Sequence, residues 1–403
     1  MHLIDTLQLS ARAAAGLGSM ARDAIGDWVG DSMPYRPAEM IAPDILSMMI
    51  ERHAVAPFPH APRIKTARRQ DIPSVSSNCQ CLLLSLEEDG ESLLPASVFL
   101  KLPMESFAIR WFFSIIGSWR LEAHFSAHVA PSLPIRTPLT YAAAANRTRF
   151  FLVQENLRED PTVALFTNFD MLEGPSLEIV HRCLDTFARL HAVHVDLDRA
   201  QQDAILPMDL HLFLSPTLGV VSRNLNRLAL APCMKKQPGE IPPEVAAAYR
   251  DTVEHWDELL EFWFSGPLSL LHGDSHLGNF FSTGDDMGML DWQAAHWGKG
   301  IRDVQYFLID SLPAATLADH EQDLVAYYVS RRAAHGAPID PSVSWEEYRS
   351  FTFHTLMTII VSIGFGGLNQ EQDSLMTEIL RRAVAAVERA DYPQWLGDFL
   401  ASR

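Results

Sequence analysis

A two-lobe α+β fold, with a small antiparallel β-rich N-lobe and a larger, mainly helical C-lobe, is what the sequence predicts. Three observations lead there. Strand-like apolar runs cluster before residue 155, helical periodicity dominates after it, and one hairpin signature interrupts the helical half.

Taken in order, residues 1–40 read as one or two helices packed on the body, an N-terminal helical extension. Asp5, Arg12, Arg22, Asp23 and Asp27 break any continuous apolar stretch there, so no signal peptide is expected. Residues 41–155 form the N-lobe. Its runs at 79–86 and 96–102 are rich in apolar and β-branched residues and are separated by a polar turn at 87–92, which predicts a small antiparallel sheet. A helix over 119–129, stopped by Pro131 and Pro134, precedes strand-like runs at 137–142 and 149–154. A linker near 155–160 opens the C-lobe, residues 156–403. There Leu177, Val180, Leu184, Phe187 and Leu190 recur at helical spacing within 174–194, and further helices are expected at 244–264, 318–335, 344–362 and 370–390. Within 268–292 two short apolar runs flank Thr283-Gly284-Asp285-Asp286, a good hairpin turn.

Composition narrows the function classes. A chain of 403 residues that is 48% hydrophobic and 20% charged can bury substantial cores. Its formal net charge of -18 argues against a nucleic-acid partner, because phosphate backbones are held by clustered Lys and Arg, and is mildly compatible with a cationic substrate. Four irregularly spaced cysteines (Cys79, Cys81, Cys183, Cys233) make neither a disulfide framework nor a zinc site, so a reducing, cytoplasmic setting is expected. No stretch reaches the roughly 18 apolar residues a membrane helix needs.

The chemistry concentrates in His272-Gly273-Asp274-Ser275-His276-Leu277-Gly278-Asn279, followed after the hairpin by Leu290-Asp291-Trp292. Asp274 and Asn279 have the offset of the Asp and Asn of a kinase catalytic loop, and an acidic residue closes the next strand. Phosphoryl transfer needs a carboxylate to orient an acceptor hydroxyl and oxygen ligands to hold Mg²⁺ against ATP phosphates. Asp274 suits the first task; Asn279 and Asp291 suit the second. Two other readings compete. His272, Asp274 and His276 would suit a metal-dependent hydrolase, although Asn279 and Asp291 would then have no role. Gly273-Asp274-Ser275 also matches a block of certain serine esterases, but one that opens a different α/β fold.

These motifs resemble the aminoglycoside phosphotransferase and choline kinase superfamily, whose pattern pairs His-Gly-Asp-x-x-x-x-Asn with a later Asp; within it they most resemble bacterial relatives of ecdysteroid kinase-like proteins. The resemblance extends over about residues 70–310. Val98-Phe99-Leu100-Lys101 is similar to the strand bearing the phosphate-binding lysine, and Glu122 to the glutamate that pairs with it. The run from Phe151 to Leu157 resembles the hinge strand, where main-chain groups meet the adenine; Glu155 and Leu157 fall there, Glu155 as a solvent-facing residue. Asp303 matches a buried residue that braces the catalytic loop, and His272 is expected to pack under that loop. The segment 72–78 stands where such proteins carry a glycine-bearing phosphate loop; it has no glycine, so Ser76 and Ser77 become the candidate phosphate contacts.

The resemblance implies a protein-kinase-like fold and an ATP- and Mg²⁺-dependent phosphotransferase. ATP would sit between the lobes and a small-molecule hydroxyl would be the acceptor. An aminoglycoside, a choline-like alcohol, a sugar, a macrolide and a sterol-like alcohol all fit. Helices within 200–265 and 340–375 are expected to build the acceptor pocket, with Trp292 as one wall. The alternative from another class is a catalytically inactive, nucleotide- or small-molecule-binding relative, which the glycine-free loop favours.

Overall fold

The computed structural model of the chain describes residues 2–30, 32–70, 79–167, 169–208, 210–211, 219–366 and 370–403. Contacts divide it into two compact units. The first comprises residues 1–164, 199–215 and 290–295; the second comprises 165–198, 216–289 and 296–403.

The first unit opens with helix α1 (His2–Val29), the short α2 (Pro37–Met40) and α3 (Pro43–Arg52). Its sheet follows as β1 (Ile64–Gln70), β2 (Cys79–Glu88) and β3 (Ser97–Pro103), then α4 (Phe107–Ile116), α5 (Ser118–His124), β4 (Thr140–Ala145) and β5 (Phe150–Glu155). The strand order is β1-β2-β3-β5-β4, and the paired registers are antiparallel throughout. Alternation explains the layering. Leu82, Leu84, Val98, Leu100, Phe151 and Val153 cover one face and pack with Leu46, Met49 and Ile50 of α3, while Cys79, Phe150 and Leu152 meet Trp119 on the other.

The N-terminal helix is tied down by charge as well as by apolar contact. Arg149, almost fully buried, reaches Asp27 at 2.6 Å and Asp23 at 3.2 Å, and its guanidinium lies 4.4 Å over the Tyr35 ring. Helix α4 was not foreseen; its run of aromatic and β-branched residues has low helix propensity, and packing against α1 stabilises it. The helix expected over 119–129 starts at Ser118, widens to a π-turn at Phe125–Val129 and ends in the 3₁₀ turn Ala130–Ser132, whose Pro131 cannot continue it.

Between the strand β6 (Val163–Leu165) and the C-terminus the chain is mainly helical: α6 (Asp170–Glu173), α7 (Leu177–Ala192), α8 (Arg199–Ile205, in the first unit), α9 (Gly219–Lys236), α10 (Pro243–Glu254) and α11 (Trp256–Trp263). After strands β7 (Ser269–Leu271), β8 (Phe280–Thr283), β9 (Asp286–Met289) and β10 (His296–Gly298) come α12 (Ile301–Ser311), α13 (Ala314–Ala334), α14 (Pro341–Phe365), α15 (Gln370–Arg389) and α16 (Tyr392–Ala401). The hairpin β8–β9 closes with Thr283 opposite Asp286, leaving the two-residue loop Gly284-Asp285 that the turn signature predicts.

The helix expected over 244–264 is two, α10 and α11, with a break at His255. Helix α12 was not foreseen as an element, although Ile301, Val304, Phe307 and Leu308 recur at helical spacing; its polar residues, Arg302, Asp303, Gln305 and Asp310, are buried along with them. It packs against α14, and α14 packs in turn against α9.

Candidate active site

Lys101 lies on β3, the central strand of the five, and is 5% exposed. A buried ammonium persists only when paired. Two carboxylates meet it: Nζ donates to Glu122 Oε1 at 2.7 Å and to Asp291 Oδ1 at 2.9 Å. Burial works against every charge in this cluster. It lowers the tendency of Lys101 to hold its proton, but the fields of Asp291 and Glu122 outweigh it, so the lysine pKa is raised. The same burial pushes Glu122 up, against the pull of Lys101, and its Oε2 is buried without a hydrogen-bond partner.

Asp291 itself sits at φ 65°, the left-handed region that Asp tolerates better than most residues and that is over-represented at functional sites. Its neighbour Trp292 is 2% exposed and stacks on Phe125 of the π-turn, with ring centroids 4.3 Å apart. Trp292 is thus a core residue of the first unit.

In the second unit β7 delivers the chain into the loop His272–Asn279. Gly273 turns it at φ 85°, where a side chain would be strained. One buried carboxylate organises everything downstream. Asp303, from the first turn of α12, accepts the N–H of His272 on Oδ2 at 2.7 Å and the N–H of Gly273 on Oδ1 at 3.0 Å. Its main-chain carbonyl accepts Ser275 Oγ at 2.9 Å, and His191 Nε2 lies 3.3 Å from Oδ2. Burial alone would raise the Asp303 pKa, yet it is lowered far below the carboxylate range, because His191, Arg302 and His272 favour the ionised form. Gly300 is required just before α12, since a Cβ there would come within 2.8 Å of His191 Nδ1.

On this pinned loop His272 is fully buried and its Nδ1 accepts the Asp274 N–H at 3.3 Å. Asn279 donates Nδ2 to the Asp274 carbonyl at 2.7 Å, so the five-residue offset closes a compact turn and leaves the amide oxygen for other use. The Asp274 carboxylate is part-exposed, with His276 Nε2 at 3.8 Å and the Tyr306 hydroxyl at 3.5 Å. Among the described residues no three His, Cys, Asp or Glu side chains converge as a metal-binding cluster. The buried His272 ring faces the loop's main chain, so His272, Asp274 and His276 do not assemble the hydrolase centre that their spacing allows.

The other residues singled out in the sequence separate. Ser76 and Ser77 lie outside the described residues, as does the glycine-free segment around them. Glu155 does not face solvent freely: its carboxylate pairs with Arg136 at 2.6 Å and accepts the Leu139 N–H at 2.5 Å, and its own N–H donates to the Leu139 carbonyl at 2.9 Å. Leu157 is 7% exposed, on a turn that Asn156 opens by accepting the Arg158 N–H and fixes to β3 through a 2.7 Å bond to Ser97 Oγ.

Beside Asp274 the second unit contains a cavity of about 230 Å³, walled by α12, α14, α15 and α6. The expected pocket region 340–375 contributes Thr355, Thr358, Ile359, Ser362 and Leu375; among the described residues the region 200–265 contributes nothing to its walls, and neither does Trp292. Two wall residues, Tyr306 and Asp310, were not singled out in the sequence. Only an i, i+4 pair of polar side chains within an otherwise buried helix would have marked them.

The family model for ecdysteroid kinase-like proteins matches residues 134–335, half of the chain. No curated protein sequence matches it. Among solved structures, a choline/ethanolamine kinase family protein from Mesorhizobium loti is 13% identical over 83% of this chain and 92% of its own, with a TM-score of 0.49. Aminoglycoside 2'-phosphotransferase-IIIa, solved with GDP, is 12% identical over 85% and 99%, with a TM-score of 0.47. The choline kinase LicA from Streptococcus pneumoniae is 9% identical over 83% and 94%, with a TM-score of 0.45.

Proposed function

The chain belongs to the ecdysteroid kinase-like family, and we propose that it transfers the γ-phosphoryl group of ATP to a hydroxyl group of a small molecule, with Asp274 as the residue that positions the acceptor. The observation that carries this is the Asp274 carboxylate itself. It lies at a cavity of small-molecule size, on a loop whose main chain is clamped by the ionised Asp303. In the reaction the acceptor oxygen forms a new bond to the γ-phosphorus, the bond to the β–γ bridging oxygen breaks, and ADP leaves with that electron pair. The hydroxyl proton passes to Asp274.

The remaining residues divide the charge. Lys101 carries its positive charge toward the nucleotide phosphates, and Glu122 holds the lysine in place when those phosphates displace Asp291 from it. The chemistry of the donor set fits a hard cation: Asn279 offers an amide oxygen and Asp291 a carboxylate, and Mg²⁺ ordinarily takes one or two protein oxygens, completing its shell with water and phosphate. Mg²⁺, when bound, would neutralise phosphate charge; Asn279 and Asp291 are the residues that would hold it. Main-chain groups near Glu155 and Leu157 would meet the adenine. Among the described residues no helix is long and apolar enough to cross a membrane. The setting we infer is the cytoplasm, where Cys79, Cys81, Cys183 and Cys233 would stay thiols.

Asp274→Asn tests the assignment. Shape is kept and the proton acceptor is lost, so turnover should fall by about 10²-fold or more while ATP affinity stays within a few-fold. Unchanged turnover of an identified acceptor would remove Asp274 from this role. A wild-type chain that binds nucleotide but consumes none with any acceptor would point to the inactive relative instead.

A further inference from the structure

Asp310, one turn beyond Tyr306 on α12, is 4% exposed and lines the cavity that holds Asp274. Its Oδ1 is buried and makes no hydrogen bond. An orphaned buried carboxyl oxygen is costly, and a site that retains one calls for a partner.

The groups packed around Asp310 do not supply that partner. Arg382, the nearby cation on α15, spends its guanidinium on main-chain carbonyls: Nη1 on those of Met171 at 2.7 Å and Asp310 at 3.1 Å, Nη2 on that of Leu172 at 2.9 Å, with Nε on Glu378. Tyr306 has one hydroxyl proton to share between the carboxyls of Asp310 and Asp274. From α14 come Thr355, Thr358 and Ser362, but Thr355 is engaged with Gln305, and the other two hydroxyls donate to the carbonyls of His354 and Thr358. His276 is the one ionisable wall residue apart from the two aspartates and Tyr306, and no lysine or arginine lines the cavity among the described residues. Burial, then the charge of Asp274, push the Asp310 acid up to about 8, against the Tyr306 hydrogen bond and the field of Arg382.

We propose that Asp310 is a specificity-determining residue that anchors the acceptor through a second polar group. The acceptor is then a mainly apolar molecule carrying, besides the hydroxyl at Asp274, a further hydrogen-bond donor that reaches Asp310 Oδ1. The apolar remainder of the walls, with Met171, Ile359, Leu375, Met376 and Ile379, fits such a skeleton. Two carboxyls, with no lysine or arginine among the described wall residues, disfavour a phosphorylated or carboxylated acceptor. The donor is a hydroxyl or an amine, and this inference rests on the reading of Asp274 as the group that faces the reacting hydroxyl.

Three ligand series of three to eight carbons separate these sources: n-alkanols, α,ω-diols and ω-amino alcohols. Binding is measured by calorimetry without nucleotide on the full chain, and ATP consumption is measured separately. At its best length a diol or an amino alcohol should bind wild type about tenfold more tightly than the alkanol of equal length, the scale of one net hydrogen bond to a buried group. Asp310→Leu should abolish that preference without weakening the alkanol. Asp310→Asn, which preserves shape, should keep a preference for diols and lose one for amino alcohols. The proposal is overturned if wild type does not prefer either bifunctional series, or if Asp310→Leu retains the preference. Asp310-dependent binding without ATP consumption would instead support the anchor and overturn the phosphotransferase reading.

Discussion

Two buried charge centres, one in each unit, solve the same problem in opposite ways. In the first unit Lys101 is satisfied by the carboxylates of Glu122 and Asp291; in the second, Asp303 is satisfied mainly by main-chain N–H groups and His191. Burial opposes ionisation at both. It prevails at Glu122, whose pKa is raised, and loses at Asp303, whose pKa is lowered. The difference is one of fixity. Side-chain ion pairs can be exchanged for an incoming anion, whereas N–H donors belonging to a loop's own backbone hold that loop permanently.

The sharpest way to break this contrast is at Asp291, the exchangeable partner. Asp291→Ala should abolish productive binding of Mg·ATP while leaving the fold intact, because Lys101 keeps Glu122. Titration calorimetry with and without Mg²⁺ checks it, and normal Mg·ATP affinity would remove Asp291 from the metal.

At the fixed centre the loss should appear as stability. Asp303→Ala strands the N–H groups of His272 and Gly273 and should cost about 3–5 kcal/mol of unfolding free energy by denaturant titration. A loss below about 1 kcal/mol would mean the loop does not depend on Asp303.

The pairing of Lys101 with Glu122 is tested by a cycle on activity. If the two act as a unit, the double variant to alanine loses little more than Lys101→Ala alone, a coupling of about 0.5–3 kcal/mol. Additive losses would separate them.

The effect that builds only gradually is a pH slope. Asp310 has a folded-state pKa near 8, above its unfolded value of about 3.9. Its proton therefore stabilises the fold fully below the unfolded value, and this contribution is lost as pH rises towards 8. Relative to Asp310→Asn, wild type should become less stable between about pH 5 and 8, by at most about 1.4 kcal/mol per pH unit. Equal slopes for the two proteins would show that Asp310 is not buried as an acid.

The sequence by itself determined the parts whose signal is local. Apolar and β-branched runs marked β2 and β3, a turn pair marked the β8–β9 hairpin, and the offset between Asp274 and Asn279 marked the loop that Asn279 closes. Helix α12 escaped although Ile301, Val304, Phe307 and Leu308 stand at helical spacing, and α4 because its aromatic and β-branched residues have low helix propensity until packing against α1 stabilises it. Only tertiary structure decided which charges meet. Lys101 and Asp291 are separated by 190 positions, and Asp310 is an ordinary acidic residue until folding buries it beside Asp274 with its Oδ1 unbonded. Spacing along a chain reports neighbours within one element, whereas burial and pairing across elements set the electrostatics of a site.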